Sequence, residues 1–230
     1  MAESCRVILA SASASRLGLL RAAGITAMVC PPQVDEEGLL AAELRRNPTA
    51  SIAALTSHLA EAKLHDARRR HGLADLPGAH VLIAADSLFT CSDQLMGKPA
   101  DAEQARQRWQ VMRGRTGVLM TAHAVAVHGL ADVDPTEVHL RAVASEVDIA
   151  DISDDELAAY LATGEPYTAA GAFTLEGRAA GFITAVRGSV SNVQGLSLPD
   201  LRELLDELGI SWPTLWAAPT HRASSSGEEP

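Results

Sequence analysis

Residues 80–89, HVLIAADSLF, are apolar almost without interruption up to Asp86. Such a run is far short of the roughly 18 residues that a membrane-spanning helix needs. It predicts a β-strand covered on both faces, and so an α/β architecture with helices on either side of a sheet. Asp86 follows five apolar residues directly, and a charge in that setting must be solvated, paired or bound to metal. The pattern puts it at or near the carboxyl end of the strand, where the ligand clefts of open α/β sheets lie. The plainer alternative is a structural aspartate that starts a turn.

The rest of the chain supplies partners for such a strand. RVIL (6–9) reads as a short buried strand, and Leu17, Leu20 and Gly24 mark a helix that begins at Ser13 and ends on glycine. AMVCPPQVDE predicts a second strand broken by Pro31 and Pro32. Asn47-Pro48 reads as the cap and first residue of a long helix running to about His71. QLMGKP is a turn, and ADAEQARQRWQVM is the helix after it. VLMTAHAVAVHG and TEVHLRAVASEVDIAD form a long hairpin. SDDELAAYLATG carries a capping box from Ser153 to Glu156. A strand AGFITAVRG and a last helix SLPDLRELLDELG follow. The polar segment from about Pro219 reads as a mobile tail.

At 230 residues and 47% hydrophobic, the chain has the material for a sizeable core. Its net charge of −10 disfavours a nucleic-acid polymer as partner but leaves room for a small anion in a local basic pocket. No membrane span is read, and MAESCRVILA lacks a secretory pattern. Three scattered cysteines point to a reducing cytoplasm rather than a disulfide or structural zinc framework.

Between the first strand and helix, ASASASR places hydroxyls and a cation at a helix N-terminus. Ser11, Ser13 and Arg16 suit phosphate oxygens there, although serine capping beside a surface arginine is the plainer reading. GxxxxGKS and GxGxxG are both absent. Lys63 lies eleven residues after Ile52, within about 20° of the apolar stripe, and either snorkels outward or reaches into a cleft. Lys98 sits in a turn between Gly97 and Pro99, and Glu36 follows a strand. These two acids and their basic neighbours at element ends are the mixture that holds a polyphosphate and a divalent ion together. His58 and His65, two turns apart, read as surface residues. Trp109 reads as core, and Trp212 and Trp216 as fasteners of the C-terminal segment.

In this order the motifs resemble the Maf family of nucleoside triphosphate pyrophosphatases, from about Val7 to Gly209, in a form often seen in actinobacteria. LASASASRLGLL is similar to that family's LASxSPRRxxLL, and VDE, LAEAKL, AADS, GKPADAEQA, MRGRTGVLMT, GEPYTAAGAFTLEG and VSNVQGLSLPDLRELL follow. The resemblance implies a single domain over 1–218 with a tail at 219–230. It also implies an elongated mixed sheet flanked by helices, with two lobes around a central cleft, as in inosine triphosphate pyrophosphatases. The implied activity is cleavage of a nucleoside triphosphate to monophosphate and pyrophosphate, on standard or modified bases, by a cytoplasmic enzyme that commonly pairs as a homodimer. Asp86 would be the general base or a metal ligand, and Glu36 would help to hold Mg²⁺ or Mn²⁺. Arg16, Lys63, Lys98, Ser11 and Ser13 would hold the phosphates. Ala14 and Ser15 stand where the family has Pro and its first Arg. Ala169 and Glu176 stand where a pyrimidine-selective branch has Lys and Gln. Glu176 is thus a base-contacting candidate that accepts but does not donate hydrogen bonds when ionised, and the base is left open. Two other readings are a nucleotide-binding regulator of cell division with little catalysis and a plain interaction module.

Overall fold

The computed structural model describes residues 5–130 and 133–216. The expected tail at 219–230, and residues 217–218 of the expected domain, lie outside the described residues. The elements run β1 (Arg6–Ala10), α1 (Ala14–Ala22), β2 (Ala27–Val29), α2 (Glu36–Arg46), α3 (Ile52–Arg70), β3 (His80–Cys91) and β4 (Gln94–Met96). Then come α4 (Ala102–Met112), β5 (Thr116–His128), β6 (His139–Ile149), α5 (Asp154–Leu161), β7 (Ile183–Arg187), α6 (Val190–Val193) and α7 (Leu198–Glu207). The strands form one mixed sheet in the order β2-β1-β3-β5-β6-β7, with β4 added to the edge of β3. β1 is parallel to β2 and β3, and the other pairs are antiparallel.

Alternation along the central strands feeds two faces. Val7, Leu9, Val81, Ile83, Val125 and Val127 pack with Leu20 of α1 and Leu201, Leu204 and Leu205 of α7. Ile8, Ala10, Leu82, Ala84, Ala122 and Ala124 pack with Ala60, Leu64 and Ala67 of α3. The alanines on this second face let α3 lie close to the sheet. A separate core surrounds the distal halves of β3 and β5, where Phe89 and Leu119 meet Trp109 and Met112 of α4 and Leu157 and Tyr160 of α5. The sheet thus runs through two cores, one on either side of residues 85–88.

Three local expectations need correction, and one helix was not anticipated. Asp86 lies in the middle of β3 rather than near its end, because the strand continues to Cys91 and β5 pairs with it from His80↔His128 to Thr90↔Val118. α3 starts at Ile52 on a Ser51 cap, and Asn47 instead closes α2. α2 itself escapes the periodicity because it buries no residue. QLM is a strand, not the start of the turn, with Phe89↔Met96 in register. The capping box at Ser153 and Glu156 is present as expected. His65 is exposed while His58 is half-buried. Trp109 is fully buried, Trp212 packs on the α1/α7 core, and Trp216 is 53% exposed but bridges to Ile25.

Candidate active site

Strand pairing makes the site. On the edge of β3 away from β5, β1 accompanies it only to Ala10↔Ala84, and β4 joins only at Phe89. Among the described residues no strand covers residues 85–88 on that edge, and the gap opens into a cleft of ≈ 1060 Å³. Asp86 is therefore at the carboxyl end of the parallel β1–β3 pair though in the middle of its own strand. Alternation turns Asp86 to the α3 face and Ser87 to the α1 face, so the two side chains serve opposite walls of one cleft.

On the α3 side, Lys63 is 7% exposed and bonds the Asp86 carboxylate, while its Nζ stands 2.8 Å from Glu36 Oε1. It reaches into the cleft rather than snorkelling outward. Glu36 is the first residue of α2, whose N-terminus Asp35 caps by accepting from Gly38 N at 2.9 Å. Burial drives the Asp86 carboxyl above the usual carboxylate range; the Lys63 and Arg16 charges pull against it and Glu36 adds to it. Burial also pushes Glu36 upward, but the Lys63 charge and hydrogen bond, with Lys98 and Arg16, outweigh it and hold Glu36 low. Two neighbouring carboxylates are thereby driven apart, Asp86 towards proton uptake and Glu36 towards permanent charge.

On the α1 side, Ser13 caps the helix by accepting from Arg16 N at 3.3 Å, and Ser11 Oγ accepts from Ser13 N at 3.1 Å. The Arg16 guanidinium donates to Gly195 O at 2.7 Å through Nε, to Ser11 Oγ at 3.3 Å and to Ser87 Oγ at 3.1 Å. Ser13 thus caps the helix, and Ser11 holds both the Ser13 amide and the cation. Both oxygens act as acceptors in these bonds, so each hydroxyl keeps its hydrogen for a further acceptor.

Lys98 is exposed at the cleft rim. Its turn is clamped from α4: Arg108 Nη1 donates to Gly97 O at 2.6 Å, and Gln104 Oε1 accepts from Ala100 N at 2.9 Å. Glu176, also exposed, lies on the far wall with Thr174 and Ala169. Glu165 gathers that loop by accepting from Arg178 N (2.8 Å), Ala179 N (3.1 Å) and Thr174 Oγ1 (3.1 Å). All eight residues singled out in the sequence, from Ser11 to Glu176, line this one cleft. Sequence reasoning missed Ser87, Gly195, Gln104 and Arg108. Ser87 had a signal, being the residue after a buried aspartate on a two-sided strand; the others touch the site only through the fold.

A family model described as Maf-like protein matches residues 6–208. The chain belongs to the Maf family. Among its relatives, a Streptomyces coelicolor protein named nucleoside triphosphate pyrophosphatase is 45% identical over 92% of this chain and 95% of its own length. A Saccharopolyspora erythraea protein of the same name is 42% identical over 94% of this chain and 100% of its own. Among solved structures, a HAM1 protein from Coxiella burnetii aligns with a TM-score of 0.38 and 15% identity, over 64% of this chain and 74% of that one. Within the Maf-like match fall every cleft residue named above and both walls of the site.

Proposed function

We propose that this chain is a hydrolase that converts nucleoside triphosphates to the monophosphate and pyrophosphate. The observation that carries the reading is Asp86, a 3%-exposed carboxylate at the floor of a large cleft that also holds Arg16, Lys63 and Lys98. Buried acids with shifted proton affinity beside convergent cations mark catalytic sites, and the relatives' name supplies the bond class. Asp86 takes the proton from the attacking water. Burial raises its proton affinity, which makes it a better base than an ordinary carboxylate. Arg16 keeps two N–H groups free for phosphate oxygens once three are used by Gly195, Ser87 and Ser11. Lys98 offers a mobile point charge at the rim, where the outgoing pyrophosphate develops charge.

Among the described residues no group of three or more His, Cys, Asp or Glu is placed to hold a metal. Glu36 and Asp86, already joined through one ammonium, are two hard oxygen donors. That set fits Mg²⁺ or Mn²⁺, which commonly take one or two carboxylates and complete their shell with phosphates and water. When bound, the ion would neutralise charge on the triphosphate. Lys63 must then share both carboxylates with it, which its flexible stem permits. Glu176 contacts the base as an acceptor. A cytoplasmic location and a homodimer remain part of this proposal. Among the described residues no helix is long and apolar enough to cross a membrane, and light scattering should return twice the 24.2 kDa chain mass.

The test is a panel of standard and modified triphosphates with Mg²⁺ or Mn²⁺, scored for pyrophosphate and monophosphate in equal amounts. Asp86→Asn should lower kcat by about a thousandfold or more while the circular dichroism spectrum is kept. The acid limb of the wild-type kcat/KM profile should lie above the ordinary carboxylate range and vanish in the variant. Triphosphate binding without pyrophosphate release would overturn catalysis and leave the regulator reading.

A further inference from the structure

The stretch SVSNVQGLS, residues 189–197, has no part in the chemistry above, yet it holds Arg16 by two routes. One is direct, through Gly195 O. The other is a relay inside the protein. Thr121 Oγ1 donates to Asn192 O at 3.0 Å, and that carbonyl can only accept. With its one hydrogen committed, Thr121 must accept from Ser87 Oγ, 2.9 Å away. Ser87 has then spent its hydrogen too, and its remaining capacity is to accept, which Arg16 Nη2 fills at 3.1 Å. Donation runs one way from Arg16 through Ser87 and Thr121 to the Asn192 carbonyl. Thr121 and Asn192 are both 0% exposed, so solvent cannot replace a missing link. The Asn192 side chain fixes the acceptor, donating to Val143 O at 3.1 Å and Ser145 Oγ at 3.0 Å on β6. Gly195 adds a steric limit: its φ is +103°, and a Cβ there would press on Arg16 Nε at 3.3 Å.

We propose that Thr121 and Asn192 are positioning residues for the Arg16 guanidinium: acting through Ser87, they fix its orientation so that its two free N–H groups face the phosphates. This inference rests on the pyrophosphatase reading for its kinetic arm only. Thr121→Val should lower kcat/KM for pyrophosphate release by about tenfold or more, comparable to the cost of leaving buried hydrogen-bonding groups unsatisfied, here the Ser87 hydroxyl and the Asn192 carbonyl, and Thr121→Ser should recover most of it. In an Arg16→Ala background, Thr121→Val should change kcat/KM by less than about twofold, because the group it positions is gone. An equal loss in both backgrounds overturns the proposal. The second arm needs no turnover. In ¹⁵N spectra, with Arg16 assigned by its loss in Arg16→Lys, the Nη1 and Nη2 resonances should be distinct in the wild type and merge in Thr121→Val; unchanged spectra overturn the proposal. A wild type that releases no pyrophosphate but shows the spectral change overturns the earlier reading alone. If Thr121→Val does not fold, Ser87→Ala breaks the relay at a half-buried position and carries the same expectations.

Discussion

Lys63 stands between the buried Asp86 carboxylate and the Glu36 carboxylate, whose side chain is 43% exposed, so its value lies in local electrostatics rather than net stability. Removing it leaves Asp86 and Glu36 facing each other with no cation between them. Lys63→Met should therefore destabilise the protein by about 3 kcal/mol at pH 7, read from urea unfolding. The deficit should shrink as pH falls and Asp86, whose proton affinity burial raises, takes a proton, because the like-charge repulsion then disappears; a deficit independent of pH would assign the loss to packing. The same residue shows how far a sequence reveals a site. Lys63 fell on the apolar stripe of its helix, which allowed both an outward and an inward course. What decides between them is the carboxylate 23 positions later that its ammonium meets, and spacing along one helix cannot contain that information.

At the scale of elements, β5 joins the cleft to the last helix through His123. The ring is 0% exposed, its Nδ1 faces Arg141 O at 3.1 Å, and its Nε2 accepts from Ser197 N at 2.8 Å at the head of α7. Nε2 as acceptor fixes the neutral tautomer. Burial, with the Arg16 charge, lowers its pKa to about 4 against the Arg141 carbonyl bond. Its folded pKa is below the unfolded value near 6.5, so the unfolded chain gains the proton first as pH falls. Stability should drop by about 2 kcal/mol between pH 7 and pH 5 from this group, and His123→Gln should flatten that slope in thermal melts. Elements with a strong pattern were legible: the apolar run of β3, the β5–β6 hairpin and the capping box of α5. α2 was not, because it buries no side chain and so leaves no apolar period. β3 was read two residues short, at Phe89, and Asp86 was placed near its end because a charge after an apolar run looks like a terminus when the uncovered edge is unknown.

For the whole molecule, the cleft lies between two cores that meet along β3 and β5. A ligand that touches Arg16 and Lys63 on one side and the Lys98 turn on the other should stabilise both together. A nonhydrolysable triphosphate with Mg²⁺ at a hundred times its Kd should add about 2.7 kcal/mol. That corresponds to about 5–10 °C in Tm for a chain of this size. Lys98→Ala should reduce that shift at the same ligand concentration without moving the ligand-free Tm, since Lys98 is exposed. A ligand-free Tm that falls would mean that the turn supports the fold itself. The sequence by itself determined the alternation of strands and helices, the family and the set of charged side chains, because period, caps and motifs are written in neighbouring residues. Only the tertiary structure decided which of those charges meet. Ending β1 at Ala10 and ending the antiparallel β4 at Met96, opposite Phe89, leaves one edge of β3 open at residues 85–88, and strand alternation then hands Asp86 to α3 and Ser87 to α1. Strand register is set by contacts between segments tens of residues apart, and no local spacing encodes it.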